Sequence, residues 1–149
     1  NLTNLIRRIR EMGFLVKLDS NGTVPETLKL LLCEKLLDYV AIDIKNTPTR
    51  YAETCGADVI EQVKKSAALL KNSNIDYEFR TTVCHPFHSP DGMQEIGRWL
   101  RGAKRYFIQP FVDSGNLLGS GVSVMTNSEL ETLLNAVKPY ITAAELRGV

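Results

Sequence analysis

Leu2, Leu5, Ile6, Ile9 and Met12 recur at steps of three and four residues, which is one apolar face of a helix, and Gly13 closes it. The period then changes. Phe14 to Leu18 is a short, nearly continuous apolar run that reads as a strand, and Asp19-Ser20-Asn21-Gly22 after it is turn chemistry. Thr23 and Glu26 stand at the spacing of a capping box, Pro25 suits a first helical turn, and Leu28, Leu31, Leu32 and Leu36 supply the buried side. Tyr39 to Lys45 predicts a second strand. Asp58 and Glu61 are placed to cap a helix that runs to about Leu70, and Tyr77 to Val83 predicts a third strand, rich in aromatic and β-branched residues. A loop from Cys84 to Pro90 meets a helix that starts near Ser89-Pro90-Asp91 and ends at Gly102. Arg105 to Gln109 predicts a fourth strand. A Gly-rich loop from Pro110 to Val124 leads to Thr126 and Glu129, again at capping-box spacing, and to a helix that runs to Pro139. Ile141 to Leu146 predicts a short last strand.

Strands alternating with helices at this spacing argue for βα units, a parallel sheet and right-handed crossovers. The expected fold is α/β: about four βα units of a partial (β/α) barrel with a short C-terminal strand, in a single domain over residues 1–149. Composition changes that picture little. At 44% hydrophobic and 23% charged residues the chain reads as a soluble globular protein. Its 18 Lys and Arg balance 17 Asp and Glu without any long single-sign block, so the basic stripe of a nucleic-acid binder is absent. No apolar stretch approaches the roughly 18 residues that span a bilayer. Cys33, Cys55 and Cys84 are odd in number and more than twenty residues apart, which fits neither a disulfide framework nor a CxxC-type metal knuckle. Reduced thiols in a cytoplasmic protein are expected. The opening Asn1-Leu2-Thr3 reads as a cut inside a longer chain.

Chemistry in such a fold gathers at the carboxyl ends of the strands, where the βα loops converge. Unexpected polar residues stand there. Asp19 follows the first strand, Asp43 and Lys45 share one face of the second, Arg80 and Thr82 share a face of the third, and Gln109 ends the fourth. Buried parallel strands are otherwise nearly all apolar, and buried charge is costly unless paired. Spacing alone leaves two readings open: an ion-paired rim, or a site for a zwitterionic or anionic small ligand accompanied by a cation. His85 and His88, three apart between prolines, read as a solvated loop, Cys84 as a small buried thiol and Trp99 as core. The stretch from Asp113 to Val124 reads as a lid or partner-docking loop, since it lacks the lysine of a phosphate-binding P-loop.

Several ordered motifs carry a resemblance that covers essentially the whole chain. Leu18-Asp19-Ser20-Asn21-Gly22 is similar to the "DTNG" element of radical S-adenosylmethionine activating enzymes, with Ser20 for threonine. Asp38 to Lys45 resembles their "DYVAMDIK" strand and Tyr77 to Val83 their "YEFRTTV" strand. Tyr106-Phe107-Ile108-Gln109-Pro110-Phe111 and Glu145-Leu146-Arg147-Gly148 match as well. Anaerobic ribonucleoside-triphosphate reductase activating proteins resemble the chain most, and pyruvate formate-lyase activating enzymes less.

The resemblance implies a radical-SAM partial barrel that uses S-adenosylmethionine and a [4Fe–4S] cluster. In the family the reduced cluster cleaves S-adenosylmethionine to a 5′-deoxyadenosyl radical, which takes a hydrogen from a glycine of a glycyl radical enzyme. The family's CxxxCxxC cluster loop and Gly-Gly-Glu element are missing here. No cluster is therefore expected in this chain, which reads as the C-terminal portion of an activase and inactive alone. Carried over, Asp19 and Asp43 match carboxylates that line the methionyl end and hold a monovalent cation, and Ser20 and Ala41 add oxygens there. Lys45 matches a lysine near the methionyl carboxylate, and Arg80 one that contacts S-adenosylmethionine. Asn21 shapes the turn, while Gln109 with Pro110-Phe111 falls where the adenine is received. An exposed sheet edge is expected to favour self-association. Two other classes remain: a Schiff-base lyase using Lys45 with Asp43 as proton carrier, and a non-catalytic docking domain.

Overall fold

The computed structural model describes residues 1–115 and 121–149. Five strands, β1 (Lys17–Ser20), β2 (Tyr39–Asp43), β3 (Asp76–Val83), β4 (Tyr106–Pro110) and β5 (Ala144–Leu146), form one sheet in the order 1-2-3-4-5. Every pairing is parallel. The crossovers are made by α2 (Pro25–Cys33), α4 (Ile60–Lys71), α5 (Pro90–Trp99) and α6 (Asn127–Val137), and α1 (Leu2–Glu11) precedes the sheet. Adding each new strand beside the last is the winding of a (β/α) barrel, not of a doubly wound sheet whose order reverses. The expected α/β partial barrel is the observed fold.

Register divides the sheet into two chemically distinct faces, because residues paired across parallel strands point the same way. Leu18, Val40 and Tyr77 share a row on one face; Ile42, Phe79, Tyr106 and Ala144 share the next, and Thr81, Ile108 and Leu146 the third. These rows meet Leu28, Leu31, Val63, Leu70, Met93, Ile96, Leu133 and Val137 of the helices in one core cluster. Each fully buried Ile, Leu or Phe stabilises this face by roughly 1.5–3 kcal/mol. The Tyr106 hydroxyl, buried among them, is partnered by the Thr81 hydroxyl at 2.6 Å. The opposite face carries Asp19, Ala41 and Glu78 in one row, Asp43, Arg80, Phe107 and Glu145 in the next, and Thr82 with Gln109 beyond.

The structure moves several predicted boundaries. β1 begins at Lys17, not Phe14, and Phe14 and Leu15 are 59% and 82% exposed. The chain before β1 is tied by backbone and side chain together: the Val16 carbonyl accepts the Asp38 amide at 2.9 Å and the Tyr39 amide at 3.3 Å, and the Asp38 carboxylate accepts from the Val16 amide at 2.7 Å and from Arg10 at 2.6 Å. β2 ends at Asp43, so Lys45 lies just past it. β4 runs one residue further than predicted, and β5 is confined to Ala144–Leu146. Two short elements were not predicted: a 3-10 turn at Pro48–Arg50 and α3 at Tyr51–Cys55, together too short to show a helical period.

Capping differs in the same way. Thr126 and Glu129 form the reciprocal box, with Glu129 accepting the Thr126 amide at 2.7 Å. Thr23 and Glu26 do not, since the Thr23 hydroxyl donates to Asn21 Oδ1 at 2.8 Å and Val24 occupies the cap. Nor does Asp58 cap α4, which starts behind Val59. Residues 116–120 of the predicted lid or docking loop lie outside the described residues. Gly22 is required where it stands. Its φ is +74°, a Cβ there would come within 3.2 Å of Ile42, and its carbonyl accepts the Ser66 hydroxyl at 2.7 Å.

Candidate functional site

The polar face is built by neighbouring strands in register. Because Asp43 pairs with Arg80 across β2 and β3, the two side chains stand beside each other, and Arg80 Nε donates to Asp43 Oδ1. The other Asp43 oxygen accepts from Lys45 Nζ at 3.0 Å. Arg80 Nη1 reaches Asp19 Oδ1 at 3.0 Å, two strands away. Ala41 stands between the strands of these two partners with only a methyl group, which leaves that crossing open. Lys17 Nζ lies 3.4 Å from the same Asp19 oxygen. Asp19, Arg80, Asp43 and Lys45 thus form one alternating row of charge toward the carboxyl side of the sheet, which Lys17, at the amino end of β1, joins through Asp19.

A second group backs the row. Glu78, with only 3% of its surface exposed, receives both Arg147 guanidinium nitrogens, at 2.8 and 2.9 Å, and the Tyr39 hydroxyl at 2.8 Å. Arg147 lies over the Phe107 ring at 3.5 Å, and Arg80 Nη1 is 4.0 Å from Glu78. Arg80 is therefore faced by three carboxylates.

These contacts set the protonation states. The Arg147 hydrogen bonds are the largest influence on Glu78; with Tyr39 they outweigh its burial and hold the carboxyl below the ordinary range. For Asp43 burial is the largest single influence and opposes ionisation, but Arg80 and Lys45 together overcome it, so it too is held low. Burial likewise works against the charge of Arg80, and Asp43 and Asp19 overcome it, raising its pKa. Opposite charges within hydrogen-bond reach decide each case.

The predicted residues divide accordingly. Asp19, Asp43, Lys45 and Arg80 come together. Where the sequence offers Asp19 and Asp43 for a monovalent cation, the charge standing between them is the Arg80 guanidinium. Ser20 and Asn21 shape the turn beside the row: Ser20 Oγ accepts the Gly22 amide at 3.0 Å, and Asn21 Oδ1 accepts the Thr23 amide at 3.1 Å. Gln109 pairs in register with Thr82, one row beyond Arg80, and stands apart from the ion row. A cavity of about 480 Å³ opens beside Asp19, Ser20 and Asn21, and one of about 390 Å³ beside Asn21, Lys45 and Tyr51. A cavity of about 580 Å³ between α2 and α4 is lined by Lys29, Leu32, Cys33 and Leu69 and lies away from this chemistry. Polar convergence, not size, selects the site.

Other sequence readings are settled by burial. Cys84 is buried, and burial pushes its thiol pKa up. Trp99 packs on the core with its ring edge-on to Tyr51 at 6.5 Å. The predicted solvated histidine loop is corrected at His88, which is 6% exposed and bonded at both ring nitrogens. His85 is half-exposed and pairs with Glu129 at 3.1 Å. Glu78 and Arg147 were missed as site residues. Alternation from Arg80 places Glu78 on the same face, a signal available in the sequence; Arg147 needs the fold.

Cys33 and Cys55 are exposed and Cys84 buried, all as free thiols, and among the described residues no three His, Cys, Asp or Glu side chains converge to hold a metal ion. A three-thiolate cluster site does not fit these residues. Among the described residues no helix is long and apolar enough to cross a membrane.

No protein-family model matches the chain. It is 31% identical, over 152 residues, to a Methanocaldococcus jannaschii protein that carries the name of a glycyl-radical enzyme activating enzyme. The match takes in 97% of this chain and 63% of that relative, so the chain spans less than two thirds of the relative's length. The fold is that of a crystallised domain of pyruvate-formate lyase-activating enzyme from Bacteroides vulgatus, with a TM-score of 0.74 at 13% identity, covering 97% of this chain and 88% of that one. A radical SAM methyltransferase from Sphaerobacter thermophilus matches with a TM-score of 0.71 at 12% identity, over 91% of this chain and 42% of its own.

Proposed function

We propose that this chain is part of a radical S-adenosylmethionine activating enzyme for a glycyl radical enzyme, and that its ion row is half of the S-adenosylmethionine pocket. The observation that carries the reading is the alternating set Asp19, Arg80, Asp43 and Lys45 at the carboxyl side of a parallel sheet. The methionyl end of S-adenosylmethionine is a zwitterion beside a sulfonium. Carboxylates suit its ammonium and sulfonium, and Lys45 and Arg80 suit its carboxylate. The ion pairs seen here keep those groups pointing to one place until a ligand exchanges with them. S-adenosylmethionine supplies the radical precursor when bound; the residues described bind and orient it, and no step through a cluster is assigned to them. Homology to the Methanocaldococcus jannaschii protein, by its name, supports a glycyl radical enzyme as partner. The sequence motifs favour an anaerobic ribonucleoside-triphosphate reductase, and a pyruvate formate-lyase partner is equally compatible with the related proteins. A Schiff-base lysine is disfavoured, since Lys45 is ion-paired and 40% exposed where that chemistry uses a desolvated amine.

Calorimetric titration with S-adenosylhomocysteine, which needs no cluster chemistry, tests the reading. We expect measurable binding that Arg80→Ala and Asp43→Asn each weaken at least tenfold. Equal affinity of both variants and the unaltered chain refutes the assignment.

A further inference from the structure

Where β2 ends, its last ladder bond is the Ile44 amide to the Arg80 carbonyl at 2.8 Å. Lys45 then leaves the sheet, and its backbone groups need other partners. Side chains from two separate elements supply them. The Tyr51 hydroxyl, on α3, accepts the Lys45 amide at 3.3 Å and donates to the Asp43 carbonyl at 3.4 Å. Tyr51 is 1% exposed, and burial pushes its pKa up to about 12, so it keeps the hydroxyl hydrogen that this pair of bonds requires. From the loop after β3, His88 Nε2 lies 3.0 Å from the Lys45 carbonyl oxygen.

A carbonyl only accepts, so Nε2 must carry hydrogen. In a neutral ring Nδ1 is then bare and accepts the Cys84 amide at 3.2 Å; the Cys84 carbonyl, 3.3 Å from the same nitrogen, takes its hydrogen from the His88 amide at 3.1 Å instead. Both ring nitrogens are used in a single tautomer. Burial is the largest influence and disfavours the charged ring, outweighing the Lys45 and Cys84 backbone contacts that favour it, and the neighbouring Arg50 guanidinium adds to burial. The loop is in turn held to α3 and its approach: Asn46 Nδ2 and Arg50 Nη1 both donate to the Phe87 carbonyl at 3.2 Å.

We propose that His88 and Tyr51 are positioning residues for Lys45, with His88 acting as the Nε2–H tautomer to fix the backbone from which the site's ammonium projects. Neither ring is placed in the ion row itself. They brace the Lys45 backbone, and through His88 the loop at 84–89 is tied to it. The proposal rests on the reading of Lys45 as a ligand-binding residue, and its test separates the two.

Nitrogen-15 NMR of the unaltered chain, with histidine labelled, reads the tautomer directly. The Nε2–H form is expected, and an Nδ1–H ring, which leaves the Lys45 carbonyl without this donor, overturns the proposal. His88→Leu removes the donor, and His88→Gln restores an amide N–H and an acceptor. With S-adenosylhomocysteine as probe, H88L is expected to bind roughly five- to tenfold more weakly, the size of one lost hydrogen bond, and H88Q within about threefold of the unaltered chain. Equal affinity of H88L and the unaltered chain overturns the positioning role. Should H88L not fold, the tautomer still decides. If Lys45→Ala binds the probe as well as the unaltered chain, the pocket reading fails, and that result is distinct from a failure of the His88 tautomer.

Discussion

Glu78→Gln is the perturbation that examines the polar face most sharply. The side chain keeps its shape and loses its charge beneath the ion row. In the structure that carboxylate receives two hydrogen bonds from Arg147, at 2.8 and 2.9 Å, and one from Tyr39 at 2.8 Å. Bonds to a charged group contribute roughly 1.5–3 kcal/mol each, and breaking a buried ion pair costs about 3–5 kcal/mol. Two features reduce this. Arg147 is 37% exposed and regains water, and glutamine still offers one acceptor. We therefore expect a loss of about 2 kcal/mol at pH 7, or roughly 4–8 °C in Tm for a chain of this size. The pH dependence has a definite sign. Glu78 is held below its ordinary value of 4.5, so its contribution is fully present above that pH and disappears as pH falls through the lower folded value. Urea unfolding of both proteins from pH 7 down to the acid limit of folding measures the gap. It should shrink steadily below about pH 4.5. A gap under about 0.5 kcal/mol at pH 7, the ordinary scatter of surface substitutions, refutes the reasoning. So does a gap that stays constant into acid.

Three further outcomes follow. Gly97→Ala puts a Cβ 2.7 Å from Tyr140 and 3.1 Å from Val137, where α5 meets the end of α6, so overpacking should exceed the gain of about 1 kcal/mol in helix propensity. Thermal unfolding should show a lower Tm, and a higher one contradicts the close packing. Thr126→Ala removes the hydroxyl that accepts the Glu129 amide at 3.3 Å and should cost about 1 kcal/mol in urea unfolding; no change means the box contributes nothing. β1 is an edge strand beside exposed Phe14 and Leu15, so light scattering should show concentration-dependent association that Leu15→Lys reduces; a monomer at high concentration contradicts this.

The order of elements was legible because the apolar period changes from helical to strand-like at nearly every true boundary. The exceptions have physical causes. Phe14 and Leu15 look like strand residues, yet β2 begins at Tyr39, opposite Lys17, and pairing starts there, with Val16 held by the backbone and carboxylate of Asp38 more than twenty residues on. Thr23–Glu26 and Thr126–Glu129 have identical spacing, and only the second forms a box, because Asn21 already occupies the Thr23 hydroxyl. Of the candidate site, Asp19, Asp43, Lys45 and Arg80 were legible as charges at strand ends. Their joining through one guanidinium depended on register and on the small Ala41. His88 was misread because its partners, Lys45 and Cys84, meet only after β2 and β3 pair. Arg147 reaches Glu78 from 69 residues away, which no local pattern foretells.

The ion row is proposed to receive S-adenosylmethionine. Titrating the nitrogen-15-labelled chain with S-adenosylmethionine and following its amide resonances tests it most directly. Saturable shifts are expected at Asp19 to Asn21, at Asp43 to Lys45 and at Arg80 to Thr82, with the α2–α4 groove around Lys29 and Leu69 unmoved. Shifts confined to that groove, or none at millimolar ligand, would contradict it.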